Sequence, residues 1–346
     1  GELAAALTVA VVVIPQSVAY AGLAGMPLVT GLYAALLPML VAVLFSRSTR
    51  LSVGPSALSA VLIGASLVGM AQPGSTQWVA LAVWLAILAG VMQVVVGATG
   101  SAWMLNLVSA PVLTGFTQAA ALLIMASQLP ALTGVPGSLS ALASTWPHAE
   151  TLAYGLGSVL LLEVGKRRLP RLPMVLVVLG ASAALSAFTG FATRGQVVGE
   201  LPTGLPSLYL PGWPTWDQLS TLLAPALVLA LVSSLEMASS AKIENQREGR
   251  RWDADQDLIG QGLGKLASAL CGAFPTSSSF SRSALNLYAG ANTGWATVFS
   301  VVVVFGALLV FTPVLRHVPK AVLAAIVLVA VLGLIKPREF LRLWRI

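Results

Sequence analysis

One acidic residue stands alone inside a long apolar run: Glu236, within Leu231-Val232-Ser233-Ser234-Leu235-Glu236-Met237-Ala238. An ionisable side chain at membrane depth is costly and by default functional, and a carboxyl placed there can load and release a proton. Ser240, one helical turn on, faces the same way. Two further stretches offer donors to an anion that has shed its water. After Pro55 the first N–H groups of a helix belong to Ser56, Ala57 and Leu58. After Pro275 they come from Ser279, Phe280, Ser281, Arg282 and Ser283. A helix start carries unpaired N–H groups and the positive dipole end, so it can hold an anion without a large fixed charge. The hydroxyls of Ser56, Ser279 and Ser281 add side-chain donors. Gln16, just after Pro15, presents an uncharged amide, and Tyr20, four residues on, shares its helical face. Arg282, the one arginine inside an apolar run, either sets the positive potential of a site or neutralises Glu236. Each of these residues also has a plainer reading. The serines can be N-caps or small packing residues, Gln16 interhelical glue and Tyr20 ordinary packing. Glu236 can be a structural partner of Arg282 or Lys265.

Other chemistry is poorly served. The two histidines, His148 and His317, are far apart in sequence, and Cys271 is the single cysteine, which excludes an internal disulfide and a thiol-only metal cluster. No G-x-S-x-G, HExxH or Walker sequence is present, so neither an enzyme nor a cofactor or metal site is expected. Of the 346 residues 57% are hydrophobic and 9% charged, and the mean hydropathy is +0.88. No water-soluble surface can be built from that composition, since an ordinary soluble domain has roughly 25% charged residues. A polytopic membrane protein remains.

The elements that must position these residues follow from apolar runs of about 20 residues, the length that crosses a bilayer as helix. Twelve are found, near 3–26, 28–45, 54–70, 77–98, 103–128, 149–165, 172–190, 218–241, 257–272, 273–290, 295–311 and 319–335. With the N-terminus in the cytoplasm, 14 of the 19 basic residues fall on the inside. They are Arg47 and Arg50; Lys166, Arg167, Arg168 and Arg171; Lys242, Arg247, Arg250 and Arg251; and Lys336, Arg338, Arg342 and Arg345. This asymmetry accounts for the net charge of +7 without a nucleic acid. The run Lys166 to Arg171 and the mixed stretch Lys242 to Asp257 read as solvated cytoplasmic faces. Two segments break the helical pattern: Leu51-Ser52-Val53-Gly54-Pro55, and Cys271-Gly272-Ala273-Phe274-Pro275 with the hydroxyl run after it. Both read as a few extended residues followed by a half-helix, a backbone tolerated at membrane depth only where protein or a wet cavity satisfies it. Such a pair is the sequence pointer to a transporter's binding site. From Gln16 to Pro55, and again from Glu236 to Pro275, is 39 residues. The match suggests an internal repeat, inverted if its unit holds seven spans.

Ile14-Pro15-Gln16-Ser17-Val18-Ala19-Tyr20-Ala21, Gly31-Leu32-Tyr33 and Leu51-Ser52-Val53-Gly54-Pro55 resemble the N-terminal signature of the sulfate permease (SulP) anion transporters, also called solute carrier family 26. Asp253-Ala254-Asp255-Gln256-Asp257-Leu258-Ile259-Gly260-Gln261-Gly262 and Phe280-Ser281-Arg282-Ser283-Ala284-Leu285-Asn286 resemble its second-half signatures. The resemblance implies an all-α membrane protein of two inverted seven-helix repeats, divided into a mobile core and a gate, with a substrate anion between the facing ends of spans three and ten. Residues 1–190 would form the first repeat, 191–217 an outside linker and 218–346 an incomplete second repeat. The last two spans and the cytoplasmic STAS domain of the family are expected to be missing from this chain. It also implies that Gln16 and Tyr20 face the substrate cavity, and that Glu236 and Ser240 serve the coupling ion, a proton or else sodium. The expected function is secondary active transport of sulfate, a dicarboxylate or bicarbonate by an elevator-like movement. The expected setting is a homodimer in the lipid bilayer of a bacterial inner membrane. Sodium-coupled bicarbonate uptake and a passive anion channel are the alternatives.

Overall fold

Long apolar side chains such as Leu3, Leu44, Leu161 and Phe188 face outward, while Gln16, Gln93, Asp257, Gln261, Lys265 and Arg282 are buried. That inverts the pattern of a water-soluble protein and suits a chain whose solvent is hydrocarbon. The structure is a computed structural model and describes residues 1–107, 110–135, 144–169, 172, 174–202, 204–310 and 315–332. Of the predicted inside residues, Arg171, Lys336, Arg338, Arg342 and Arg345 lie outside the described residues.

In chain order the elements are α1 (Glu2–Leu23), α2 (Val29–Ala34), α3 (Leu37–Phe45), β1 (Val53–Gly54), α4 (Ala57–Leu67), α5 (Thr76–Ala98) and α6 (Ala110–Thr133). Then follow α7 (Ala149–Arg168), α8 (Met174–Thr189), α9 (Trp216–Glu248), α10 (Ala254–Leu270), β2 (Ser277–Ser278), α11 (Phe280–Tyr288), α12 (Trp295–Val310) and α13 (Lys320–Leu332). Among the described residues three helices are long and apolar enough to cross a bilayer alone: α1, α5 and residues Trp216–Gln246 of α9. Other apolar helices run for only 10–17 residues. The predicted run 28–45 is two helices. Leu36 leaves the helical region, and α3 restarts with Pro38 in its first turn, where a missing N–H costs nothing.

The largest departure from the sequence reading is at α9, predicted over 218–241. Its start is fixed by a capping box, in which Gln218 N–H donates to Thr215 Oγ1 and Thr215 N–H to Gln218 Oε1. It ends only at Gly249, whose φ of 65° closes a left-handed C-cap. The good helix formers Ala241, Lys242, Glu244 and Gln246 carry it past the apolar run. The stretch Lys242 to Asp257 is therefore mostly helical, and it is not a uniformly solvated face, because Glu244, Asn245 and Asp257 are buried. The Asp257 carboxylate accepts from Arg47 N–H and Ser48 N–H at 2.8 Å each, from Trp252 Nε1 at 2.8 Å, and from the Ser48 hydroxyl. Asn245 Nδ2 donates to Ser48 Oγ at 2.9 Å, and Arg50 N–H donates to Glu244 at 3.2 Å. These acids hold the loop that leads into β1.

Two compact units are present, and each takes segments from both halves of the chain. The first comprises Gly1–Leu113 and Gly204–Gly306. Its most extensive helix seam is α5 on α10, where a Cβ on Gly262 would lie 2.6 Å from the Gly90 carbonyl oxygen. Only glycine lets the two backbones approach so closely. The second unit comprises Thr114–Thr203 and Ala307–Ile346. In it Leu132, Ala324 and Ala325 share a core, Val197 bridges Pro319, and Arg194 pairs with Glu150 at 3.3 Å.

Candidate functional site

The first unit carries both broken segments, and they meet. β1 and β2 pair antiparallel, Val53 opposite Ser278 and Gly54 opposite Ser277, and Ser279 N–H donates to the Ser52 carbonyl at 3.0 Å. Each strand runs directly into a half-helix, α4 after β1 and α11 after β2, so the antiparallel pairing brings the starts of both helices to one crossing. Ser56 is the N-cap of α4, and its Oγ accepts from Ser59 N–H at 3.2 Å. The N–H groups of Ala57 and Leu58 precede the first intrahelical bond, which runs from Ala60 N–H to the Ser56 carbonyl. Ser279 occupies the N-cap of α11 but makes no side-chain cap bond; its hydroxyl pairs with that of Ser281 at 3.3 Å.

Glu236 projects from α9 into this crossing. Its Oε2 accepts from Ser277 Oγ at 2.6 Å and from Ser56 Oγ at 3.4 Å. The short bond to Ser277 has the length of an O–H···O⁻ contact. Ser277 was not singled out from the sequence, although its signal was there in the hydroxyl run after Pro275. Ser240 donates at 3.2 Å to the backbone carbonyl of Glu236 rather than to its carboxylate. Arg282, fully buried, donates from Nε to Ser52 Oγ at 3.3 Å and from Nη1 to the Pro55 carbonyl at 2.6 Å. It thus straps the β1 segment, and it makes no hydrogen bond to Glu236. Ser283 Oγ accepts from Ser52 N–H at 3.0 Å and Asn286 Nδ2 donates to the Arg50 carbonyl at 3.1 Å, so three side chains of α11 grip the approach to β1. Lys265 turns away as well: its Nζ donates to Gln93 Oε1 at 2.9 Å.

From the other side α1 packs against both α4 and α11, bringing Gln16 and Tyr20, both buried. Tyr20 is within electrostatic reach of Arg282 and Glu236. The close approach of α2 to α1 depends on Gly31, where any side chain would collide with the Ser17 carbonyl. Gln16 Oε1, Arg282 Nη2, Thr276 Oγ1 and Ser278 Oγ are buried without a hydrogen-bond partner. Ala57, Glu236, Phe280 and Ser281 keep partial exposure. Buried polar atoms are normally satisfied, so unpaired polar atoms, one an amide oxygen and the others able to donate, beside part-exposed helix starts form a place prepared for a polar guest. No group of three or more His, Cys, Asp or Glu suited to a metal occurs among the described residues.

The prolines behind the 39-residue match do not occupy equivalent places. Pro55 lies two residues before the first residue of α4, whereas Pro275 lies five before that of α11. The strand pairing, not the proline spacing, relates the two segments.

A membrane domain of this helical design has known counterparts. The transmembrane domain of the cyanobacterial bicarbonate transporter BicA superposes with a TM-score of 0.86 at 23% identity, over 100% of this chain and 93% of that one. The murine anion transporter Slc26a9 in its inward-facing state gives 0.86 at 22% identity, over 99% and 62%. The fold is that of these transmembrane domains. In sequence, the chloroplastic sulfate transporter 4.1 of Arabidopsis thaliana is 32% identical, over 100% of this chain and 53% of its own length, and the sulfate permease family model matches residues 1–346. The chain belongs to the sulfate permease family. It spans about half the length of curated relatives such as this one.

Proposed function

We propose that this chain is the membrane part of a secondary active transporter that carries a small anion, sulfate first among the candidates, together with a proton. The observation that carries the reading is the Glu236 carboxyl, bonded through Oε2 both to Ser277, beside one half-helix, and to Ser56, at the start of the other. Ionised, the carboxyl only accepts hydrogen bonds; protonated, it has an O–H of its own to donate. Proton occupancy therefore changes how the two half-helix segments are tied together. Substrate would be held by the N–H groups around Ala57 and from Phe280 to Arg282, by the hydroxyls of Ser56, Ser279 and Ser281, and by Gln16, with Tyr20 closing the α1 side. Ser240 supports the carboxyl through the α9 backbone. The description of relatives as sulfate transporters favours sulfate; a dicarboxylate or bicarbonate makes the same demand for donors.

The antiparallel strand pair supports two inverted seven-helix repeats, residues 1–190 and 218–346, joined by 191–217. An elevator-like movement, a homodimer, and a cytoplasmic N-terminus in a bacterial inner membrane complete the proposal. The last of these rests on the basic residues gathered in alternate loops. The test is uptake of labelled sulfate by full-length protein in liposomes. Glu236→Gln should lose accumulation driven by a pH gradient and keep sulfate exchange. Accumulation by the variant at the wild-type level, or a wild type driven by sodium and indifferent to protons, would refute the proton assignment.

A further inference from the structure

Lys265 lies well inside α10 with no exposed surface, and its ammonium is hydrogen-bonded to a neutral group, Gln93 Oε1. Gln93 is itself locked. Its Nε2 lies 2.8–3.1 Å from the hydroxyls of Ser233 and Ser234, Gln261 Oε1 and the Ala230 carbonyl, so the amide has only its oxygen left to offer the lysine. Neither the packing of α5 against α10 nor the coupling role of Glu236 calls for a cation here. A buried positive charge without an anion in contact is expensive, so the ammonium persists only where a counter-charge offsets it.

The candidates can be enumerated, because ionisable side chains are few on the helices around the strand pair. α4 and α5 have none. On α9 and α10 the mid-helix charges are Glu236 and Lys265; Arg282 stands in the first turn of α11, directly after β2, and α1 adds Tyr20. Glu2, Asp217, Lys242, Glu244, Arg247, Glu248, Asp255 and Asp257 lie toward the helix ends. Glu244 and Asp257 are each eight residues, about 12 Å of helix, from Glu236 and Lys265 respectively, and they are bound to the loop at residues 47–50. Lys265 is tied through Gln93 to Ser233 and Ser234, on the turn of α9 just before Glu236, and Arg282 holds the Pro55 carbonyl beside Ser56, a donor to Glu236.

We infer that Lys265 sets the valence of the anion this site accepts, adding a second buried positive charge to that of Arg282. With Glu236 ionised the interior then holds one net positive charge, which a monovalent anion neutralises. With Glu236 protonated it holds two, which a divalent anion neutralises. A divalent oxyanion therefore enters with one proton on Glu236, and Lys265 is the residue that makes one proton enough. The ammonium acts through the field it adds and touches no substrate, so it is a positioning and specificity residue. The inference rests on the transport reading above and adds to it the charge class of the substrate.

The experiment compares uptake of sulfate and of nitrate by full-length protein in liposomes, at one pH and without membrane potential. Lys265→Gln keeps a polar group for Gln93 and removes the charge; it should lower the ratio of sulfate to nitrate uptake at least tenfold, and Lys265→Arg should restore the wild-type ratio. Glu236→Gln reports the same arithmetic with Lys265 untouched. Locked at two net positive charges, it should exchange sulfate and lose nitrate at least tenfold, so the idea stays exposed even if Lys265→Gln fails to fold. A ratio within twofold of wild type in Glu236→Gln, or in a Lys265→Gln protein that elutes as a monodisperse species, overturns the inference, as does equal loss of both anions. A wild type that carries neither anion refutes the transport reading instead.

Discussion

Asp253, Asp255 and Asp257 alternate at the start of α10, look alike in sequence and should differ sharply in what they are worth. Asp253 caps the helix by accepting from Gln256 N–H at 3.1 Å. Asp255 accepts from Ala102 N–H at 2.9 Å. Asp257 has no exposed surface and gathers four donors: two backbone N–H groups, the Ser48 hydroxyl and the Trp252 indole. Removing it with Asp257→Ala strands three N–H groups, that of Ser48 buried and those of Arg47 and Trp252 in part-buried bonds, where a fully buried one costs about 1–3 kcal/mol. The Ser48 oxygen still accepts from Asn245 Nδ2, while its hydroxyl proton also loses its acceptor. Since some donors will find water, about 3 kcal/mol is the working figure, against about 1 kcal/mol for a lost cap in Asp253→Ala and a similar loss in Asp255→Ala. On the scale of soluble domains of 150–250 residues, where 1 kcal/mol moves Tm by about 2–4 °C, Asp257→Ala should melt about 6–12 °C lower and the other two variants within about 4 °C of wild type. Thermal unfolding of the three purified variants in one detergent measures this. Equal shifts at the three positions would refute the claim that Asp257 organises the loop entering β1.

Two more outcomes follow from the same contacts. Ser277→Ala removes the 2.6 Å donor to Glu236, a charge-assisted bond worth about 1.5–3 kcal/mol; proton-driven sulfate uptake should fall by about tenfold or more. Ser240→Ala, whose hydroxyl serves only the Glu236 backbone carbonyl, should stay within about threefold. Gly262→Ala would put a methyl 2.6 Å from the Gly90 carbonyl oxygen and 2.7 Å from Val94 Cγ2. Forcing α5 from α10 should cost about 1–3 kcal/mol, read as a lower melting temperature, whereas Gly157→Ala, which meets nothing within 4 Å, should leave it unchanged.

What the sequence disclosed was set by whether the signal is local. Solvent, helix content and the two strand-plus-half-helix segments were legible because hydropathy and the prolines act over a few neighbouring residues. The starts of α4 and α11 fell where the serines after Pro55 and Pro275 pointed. The end of α9 did not, because a hydropathy scan follows apolar character, while the helix follows propensity until Gly249 supplies a left-handed residue. The stretch from Lys242 to Asp257 looked solvated for a related reason. Its acids are written among lysines and arginines, and nothing local says that the donors they serve are on a loop about 200 residues earlier in the chain.

The candidate site shows the same limit more sharply. Glu236 could be singled out alone, since a lone carboxyl in an apolar run is anomalous whatever surrounds it. Its partners could not, because Arg282 and Lys265 were the obvious counter-charges and each is bonded elsewhere, to Pro55 and to Gln93. The actual donors, Ser277 and Ser56, belong to opposite segments of one strand pair, and that register of Gly54 with Ser277 is a tertiary fact. Equal spacing of prolines imitated it and was off by three residues, because Pro55 follows β1 whereas Pro275 precedes β2. A strand of two residues has no periodicity to read. Its pairing is decided by what grips it, and here the grip comes from Arg282, Ser283 and Asn286 on α11, which hold the backbone from Arg50 to Pro55. Arginine, serine and asparagine on one short helix were therefore a signal about the neighbouring strand before they were a signal about an anion.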